Sequence, residues 1–199
     1  MHRLYLFTMT TPAIIISILF ILCLTASIVT RAVGLINADD KPVKKLWIPL
    51  IFGLSQGVMA VAGYYLGKLI RHLFVDEFAP YLVFMMMLVV AVKLFVDSIR
   101  VLKGKMLYTV RGDWDFLLLS IMAAFNVFLM SLVGPFFIPE FPLGSWFFPA
   151  VAVAGFLWAF ITVRIPFSPG VMKKMSFIEF SAAVFMVVIA VLYLFTDLI

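Results

Sequence analysis

Charge is scarce in this chain: Asp, Glu, Lys and Arg together make up 13% of its 199 residues, about half the share a soluble domain carries. So little polar side chain cannot coat a water-soluble globule. Cysteine occurs once, at Cys23, which excludes a disulfide framework within the chain. Histidine occurs at His2 and His72, both far from any Cys or carboxylate cluster, so the ordinary zinc spacings are missing. There is no phosphate-cradling glycine loop and no nucleophile triad. The sequence therefore offers no argument for an enzyme or for a bound cofactor.

What is present in their place is apolar bulk, 65% of the residues with a mean hydropathy of +1.20. It comes in runs. Residues 4–30, 46–67, 116–139 and 141–163 contain no ionisable Asp, Glu, Lys, Arg or His, residues 78–96 are interrupted only by Lys93, and residues 180–196 are uncharged. A helix needs roughly 20 apolar residues, with a range of about 17–25, to cross the hydrocarbon of a bilayer. The runs are continuous and do not alternate in polarity, which favours helices over a barrel, since a helix satisfies its own backbone in lipid. The chain is thus expected to be an all-α membrane protein, a single integral domain over residues 1–199 with six transmembrane helices. The first run exceeds the usual apolar core of a signal peptide and its following flank is basic, so it reads as a span. Cys23, in Ile21-Leu22-Cys23-Leu24, lacks the small preceding residue of a lipoprotein cleavage site.

The net charge of +5 needs no nucleic acid to explain it. Eleven basic residues (Arg31, Lys41, Lys44, Lys45, Arg100, Lys103, Lys105, Arg111, Arg164, Lys173 and Lys174) flank the first, third and fifth connections, against Arg3, Lys68 and Arg71 on the other side. Lys and Arg concentrate in cytoplasmic loops. This places those three loops in the cytoplasm and both termini on the non-cytoplasmic side of a bacterial inner membrane.

Two three-helix halves joined by a cytoplasmic loop have opposite orientations, so any repeat between them is inverted. Cys23-Leu24-Thr25-Ala26-Ser27-Ile28-Val29-Thr30 aligns with Ala124-Phe125-Asn126-Val127-Phe128-Leu129-Met130-Ser131, and glycine follows each, at Gly34 and Gly134. Lys93-Leu94-Phe95-Val96-Asp97-Ser98-Ile99 aligns with Tyr193-Leu194-Phe195-Thr196-Asp197-Leu198-Ile199 at nearly the same offset. The expected repeats are residues 4–100 and 113–199, an architecture shared by many secondary transporters.

Polar residues inside spans carry the functional question, because charge at a helix centre costs about 2.5–3.5 kcal/mol on insertion scales. Lys93, Asp97 and Arg100 lie on the third span, with Lys93 and Asp97 at i,i+4 as a neutralising pair. Thr25, Gln56 and Asn126 form a second set, on the first, second and fourth spans, whose side-chain oxygens could meet between the repeats as a substrate site or serve as interhelical hydrogen bonds. Gly53, Gly57, Gly63 and Gly67 on the second span read as a close-packing face, within the chain or between copies. Gly134-Pro135, with Pro139 and Pro142, is expected to end or break the fourth span, and Pro166 and Pro169 to close the fifth. The adjacent Met85, Met86 and Met87 point in different directions and read as packing.

Several of these features resemble the bacterial manganese efflux pump family of the lysine-exporter superfamily. They are Pro49-Leu50-Ile51-Phe52-Gly53 leading to Gly63 and Gly67, the Lys93-xxx-Asp97-xx-Arg100 pattern, and Ser120-Ile121-Met122-Ala123-Ala124-Phe125-Asn126. The resemblance implies a six-helix inverted-repeat exporter with aspartates on the first and fourth helices and a glutamate on the second. At the matching positions this chain has Thr25, Asn126 and Gln56, all neutral. Mn²⁺ is a hard divalent ion suited to carboxylate oxygens, so the substitutions argue against Mn²⁺ as cargo and leave the metal unknown.

Two functions follow as expectations. One is a secondary transporter or exporter of this superfamily with an altered substrate, such as a monovalent ion or small neutral solute. The alternative is a transport-inactive subunit that binds or stabilises a larger membrane complex. Partners are the lipid bilayer, with further copies of the chain or a larger assembly left open.

Overall fold

The computed structural model describes residues 11–33, 35, 42–72, 78–104, 113–137 and 144–197. Both termini, Gly34, Lys41, Lys105, Arg111, Pro139 and Pro142 lie outside the described residues. Within them the chain is helical: α1 Thr11–Thr25, α2 Ser27–Ala32, α3 Pro42–Arg71, α4 Ala79–Leu102, α5 Asp113–Phe137, α6 Gly144–Thr162 and α7 Pro169–Asp197. Four of these, α3, α4, α5 and α7, are long and apolar enough to cross a membrane, and Ile16–Ala32 and Trp146–Thr162 form shorter apolar helical segments.

The first apolar run is broken, and its own side chains explain the break. The Ala26 amide would ordinarily bond the Leu22 carbonyl. It donates instead to Cys23 O at 3.2 Å, a tighter turn, and Val29 N likewise reaches only back to Ala26 O at 2.9 Å. The Leu22 carbonyl is taken by the Trp158 indole at 3.3 Å, while Thr25 Oγ1 donates to Ile21 O at 2.9 Å. A side chain inserted into the i to i−4 ladder is an established cause of kinks.

Helix ends follow local chemistry. Gly104, with φ +69°, closes α4, its amide donating to Val101 O at 3.0 Å, the left-handed stop that favours glycine. Ser168 caps α7 by accepting the Val171 amide at 3.2 Å on its Oγ, with Pro169 in the first helical position, where its missing amide costs nothing. This corrects the expected reading of the prolines: α6 ends at Thr162, before Pro166, and Pro169 opens α7. It also moves the start of the last helix eleven residues ahead of Phe180, bringing Glu179 inside it. Gly134-Pro135 falls in the last turn of α5, which ends at Phe137.

The close helix packing joins the first half to the second. α3 packs along α5 and α6, α4 along α7 and α5, and α1 and α2 against α5, α6 and α7. Gly63 faces Phe128 and Ser131 while Gly67 faces Leu132, so α3 runs parallel to α5. Gly53 faces Ala152 and Phe156 while Gly57 faces Ala152 and Phe148, so α3 runs antiparallel to α6. The Phe95–Phe180 rings at 5.4 Å and the Ser98–Ser176 bond run α4 antiparallel to α7. The small-residue face on α3 is therefore spent within the chain.

Two apolar cores result. Leu24, Met87, Leu94, Val127 and Met186 belong to one. Ile28, Ile48, Phe52, Leu119 and Val163 belong to the other. They meet along α1 and α2. The outer faces are also apolar: Leu50, Leu54, Val58, Tyr65 and Leu69 form an exposed stripe on α3, as do Val184, Val188, Leu192 and Phe195 on α7. Exposed stripes of this extent suit a lipid environment. Met85 joins such a surface whereas Met87 is buried, as their adjacency requires.

Candidate functional site

Four helices contribute charged or polar side chains to one buried cluster. From α2, the Arg31 guanidinium donates through Nη2 to Asp97 Oδ2 on α4 at 2.6 Å. Its Nη1 donates to Ser27 O at 2.7 Å and lies 3.8 Å from Glu179 Oε1 on α7. Thr30, beside Arg31, donates its hydroxyl to Glu179 Oε1 at 2.6 Å. Lys93, one turn before Asp97 on α4, donates to Asn126 Oδ1 on α5 at 2.7 Å and lies 4.0 Å from Asp97 Oδ2.

The surroundings hold these groups in register. Ser98 donates to Ser176 O at 2.8 Å, fixing α7 against α4 beside Asp97. Ser27 donates to Ala123 O at 2.8 Å, fixing α2 against α5. Glu179 is fully buried, and Asp97 and Arg31 nearly so, whereas the Lys93 side chain keeps 27% of its surface exposed. Lys93 is thus the charged member nearest an opening.

Burying charge in this setting is tolerable only when it is paired and hydrogen-bonded. The planar guanidinium suits the task, because its fork can address two acceptors at once. Arg31, Asp97 and Glu179 together leave one formal negative charge when ionised, which Lys93, at the edge between Asp97 and Asn126, brings to neutrality. Glu179 Oε2 is buried without a hydrogen-bond partner among the described residues.

The expected site residues fall into different places. Asn126 joins the cluster through Lys93. Asp97 and Lys93 are close, but the nearest cation to Asp97 is Arg31, and Arg100 is exposed. Thr25 is buried with its hydroxyl returned to its own helix. Gln56 is fully buried, with no hydrogen-bond partner for either amide atom among the described residues. It packs on Gly155 of α6, where a Cβ would come within 2.6 Å of its Cγ.

Arg31, Thr30 and Glu179 are the members that sequence reasoning missed. In the sequence Arg31 reads as part of a cytoplasmic flank, and Glu179 falls one residue before the expected last span. The Ser168-Pro169 pair, a helix-start signature, was the available signal for the second. Among the described residues no three His, Cys, Asp or Glu side chains gather into a metal cage.

Residues 39–134 match the family model described as "Putative manganese efflux pump". No curated protein and no solved structure matches the chain. The matched segment spans α3, α4 and most of α5, and so contains Gln56, Lys93, Asp97, Arg100 and Asn126. Thr30, Arg31 and Glu179 lie outside it. The match covers just under half of the chain, and the apolar helices fit a multi-pass membrane protein.

Proposed function

We propose that the chain is a secondary transporter of a monovalent cation or small cationic solute, with the Arg31–Asp97–Glu179 cluster as its transport site. The observation that carries this reading is the convergence of two carboxylates from α4 and α7 on one guanidinium from α2, buried where isolated charge is costly. Intramembrane ionisable groups at a junction of helices commonly mark ion pathways. With Lys93 also beside Asp97 the ionised cluster is formally neutral and offers no double negative charge to a divalent ion, and Arg31 occupies the carboxylate face that Mn²⁺ would need.

The cross-packing of the two halves, with α3 parallel to α5 and antiparallel to α6, supports six spans in two inverted repeats. On this reading α1 with α2, and α6, complete the spans. The basic flanks at Arg100, Lys103, Arg164, Lys173 and Lys174 face the cytoplasm, with both termini on the other side of a bacterial inner membrane. Thr25 and Gln56 bear on transport through helix packing, since neither hydrogen-bonds to the charged cluster among the described residues.

The same pairing supports a second reading, a transport-inactive subunit whose internal charges only hold its helices together. Flux separates the two. The purified chain in proteoliposomes is expected to carry Na⁺ or K⁺ above empty vesicles, with Mn²⁺ near background. Mn²⁺ flux equal to that of the monovalent ions would overturn the proposed cargo, and no flux of any cation tested would favour the inactive subunit.

A further inference from the structure

The cluster holds a cation of its own. Arg31 presents Nη2 to Asp97 at 2.6 Å and Nη1 towards Glu179 at 3.8 Å, so one guanidinium faces the carboxylates of two helices. Thr30, next in the chain, adds a hydroxyl on Glu179 at 2.6 Å. Two carboxylates and a hydroxyl are the hard oxygen donors that divalent ions such as Mn²⁺ take. One carboxylate oxygen, Glu179 Oε2, is fully buried and unpartnered among the described residues. Beside a guanidinium, that spare acceptor is a ligand atom in a donor set that already carries positive charge.

We infer that Arg31 is a tethered cation that excludes divalent ions from the Asp97 and Glu179 carboxylates, and that removing its charge turns the cluster into a divalent-cation site. The inference rests on the transport reading only for its significance, because it concerns binding and not flux. Arg31 then acts as the specificity-determining residue. With it in place the ionised cluster, Lys93 included, is formally neutral, and without it the cluster carries one net negative charge and a carboxylate with no guanidinium partner.

Its position allows that role to be reversible. Arg31 sits on α2, a six-residue helix separated from α1 by the break at Ala26. Outward movement of this short element would withdraw the guanidinium without moving the whole first span. The fold-back bond from Nη1 to Ser27 O at 2.7 Å gives the guanidinium a partner on its own helix, independent of either carboxylate.

The test is Mn²⁺ binding by the purified full chain in detergent, read by loss of the free-ion paramagnetic resonance signal. Arg31→Gln is expected to bind Mn²⁺ at least tenfold more tightly than the native chain, and Asp97→Asn or Glu179→Gln added to it to abolish the gain. Arg31→Lys, which keeps the charge, should bind Mn²⁺ no better than the native chain, and Arg31→Ala repeats the charge removal if the Gln variant fails to fold. Added guanidinium ion should compete with Mn²⁺ in Arg31→Ala. If neither Arg31→Gln nor Arg31→Ala binds Mn²⁺ better than the native chain, if Arg31→Lys gains as much as Arg31→Gln, or if the gain survives loss of both carboxylates, the inference is wrong. Flux measured on the same preparations keeps the two ideas apart: native flux without a gain in binding sinks only the exclusion, and a gain in binding without native flux sinks only the transport reading.

Discussion

Two seams hold this bundle together, and they are built from opposite materials. Along α3 the contacts with α5 and α6 run through Gly53, Gly57, Gly63 and Gly67, where backbone meets backbone and no polar side chain is needed. Where α2 meets α4 and α7, the contact runs through Arg31, Asp97, Thr30 and Glu179. In lipid, apolar helices gain little from hiding apolar surface from one another, so association relies on close packing and on polar bonds. A glycine seam offers one tight arrangement. A charged seam offers alternatives, because each ion can exchange its partner for another ion or for water. The first suits a fixed frame and the second a site that opens.

The sharpest way to break the comparison is to disrupt the frame. A Cβ on Gly67 would collide with the Leu132 backbone carbonyl, which cannot rotate away. Overpacking ordinarily costs about 1–3 kcal/mol, and against backbone the cost should exceed that range. Gly67→Val is therefore expected to yield no monodisperse folded protein by size-exclusion chromatography, and a normally folded variant would show that the seam is looser than described.

Removing one partner from a buried ion pair costs about 3–5 kcal/mol. Arg31→Gln without metal should lose that order of stability in a thermal unfolding assay, and a double-mutant cycle with Asp97→Asn should recover part of it. Additivity of the two changes would mean that the pair contributes nothing beyond its members.

Gly155→Ala sets a new Cβ 2.6 Å from Gln56 Cγ, near the root of a fully buried side chain. A loss of about 2–3 kcal/mol is expected, smaller than at Gly67 because the obstacle is a side chain and not backbone. Ser27→Ala removes the bond to Ala123 O and should cost about 1 kcal/mol. Val188→Leu, on the exposed face of α7, should change stability by less than about 0.5 kcal/mol. Unfolding midpoints across the three variants check this order.

The frame was legible in the sequence and the site was less so. Uninterrupted apolar runs mark the helices because lipid demands them, and the glycine spacing on α3 marks a packed face. Asp97, Lys93 and Asn126 were visible as polar residues within those runs. Arg31 and Glu179 were not, since each sits at the edge of a run, where a charged residue is ordinary. Charge windows treat such a position as a loop flank, whereas helix length decides the matter: α7 begins at Pro169, and Glu179 lies three turns inside it. The break at Ala26 was hidden for a different reason. It depends on Trp158, 136 residues away from Leu22, and a tertiary bond of that range leaves no local pattern.

Cation flux through proteoliposomes containing Glu179→Gln, beside the native chain, tests the central claim most directly. The charged seam as transport site predicts that monovalent cation flux falls at least tenfold while the variant remains folded and monodisperse. Undiminished flux through a folded Glu179→Gln variant would contradict it, and would return the search for the cargo path to the other polar residues of the spans.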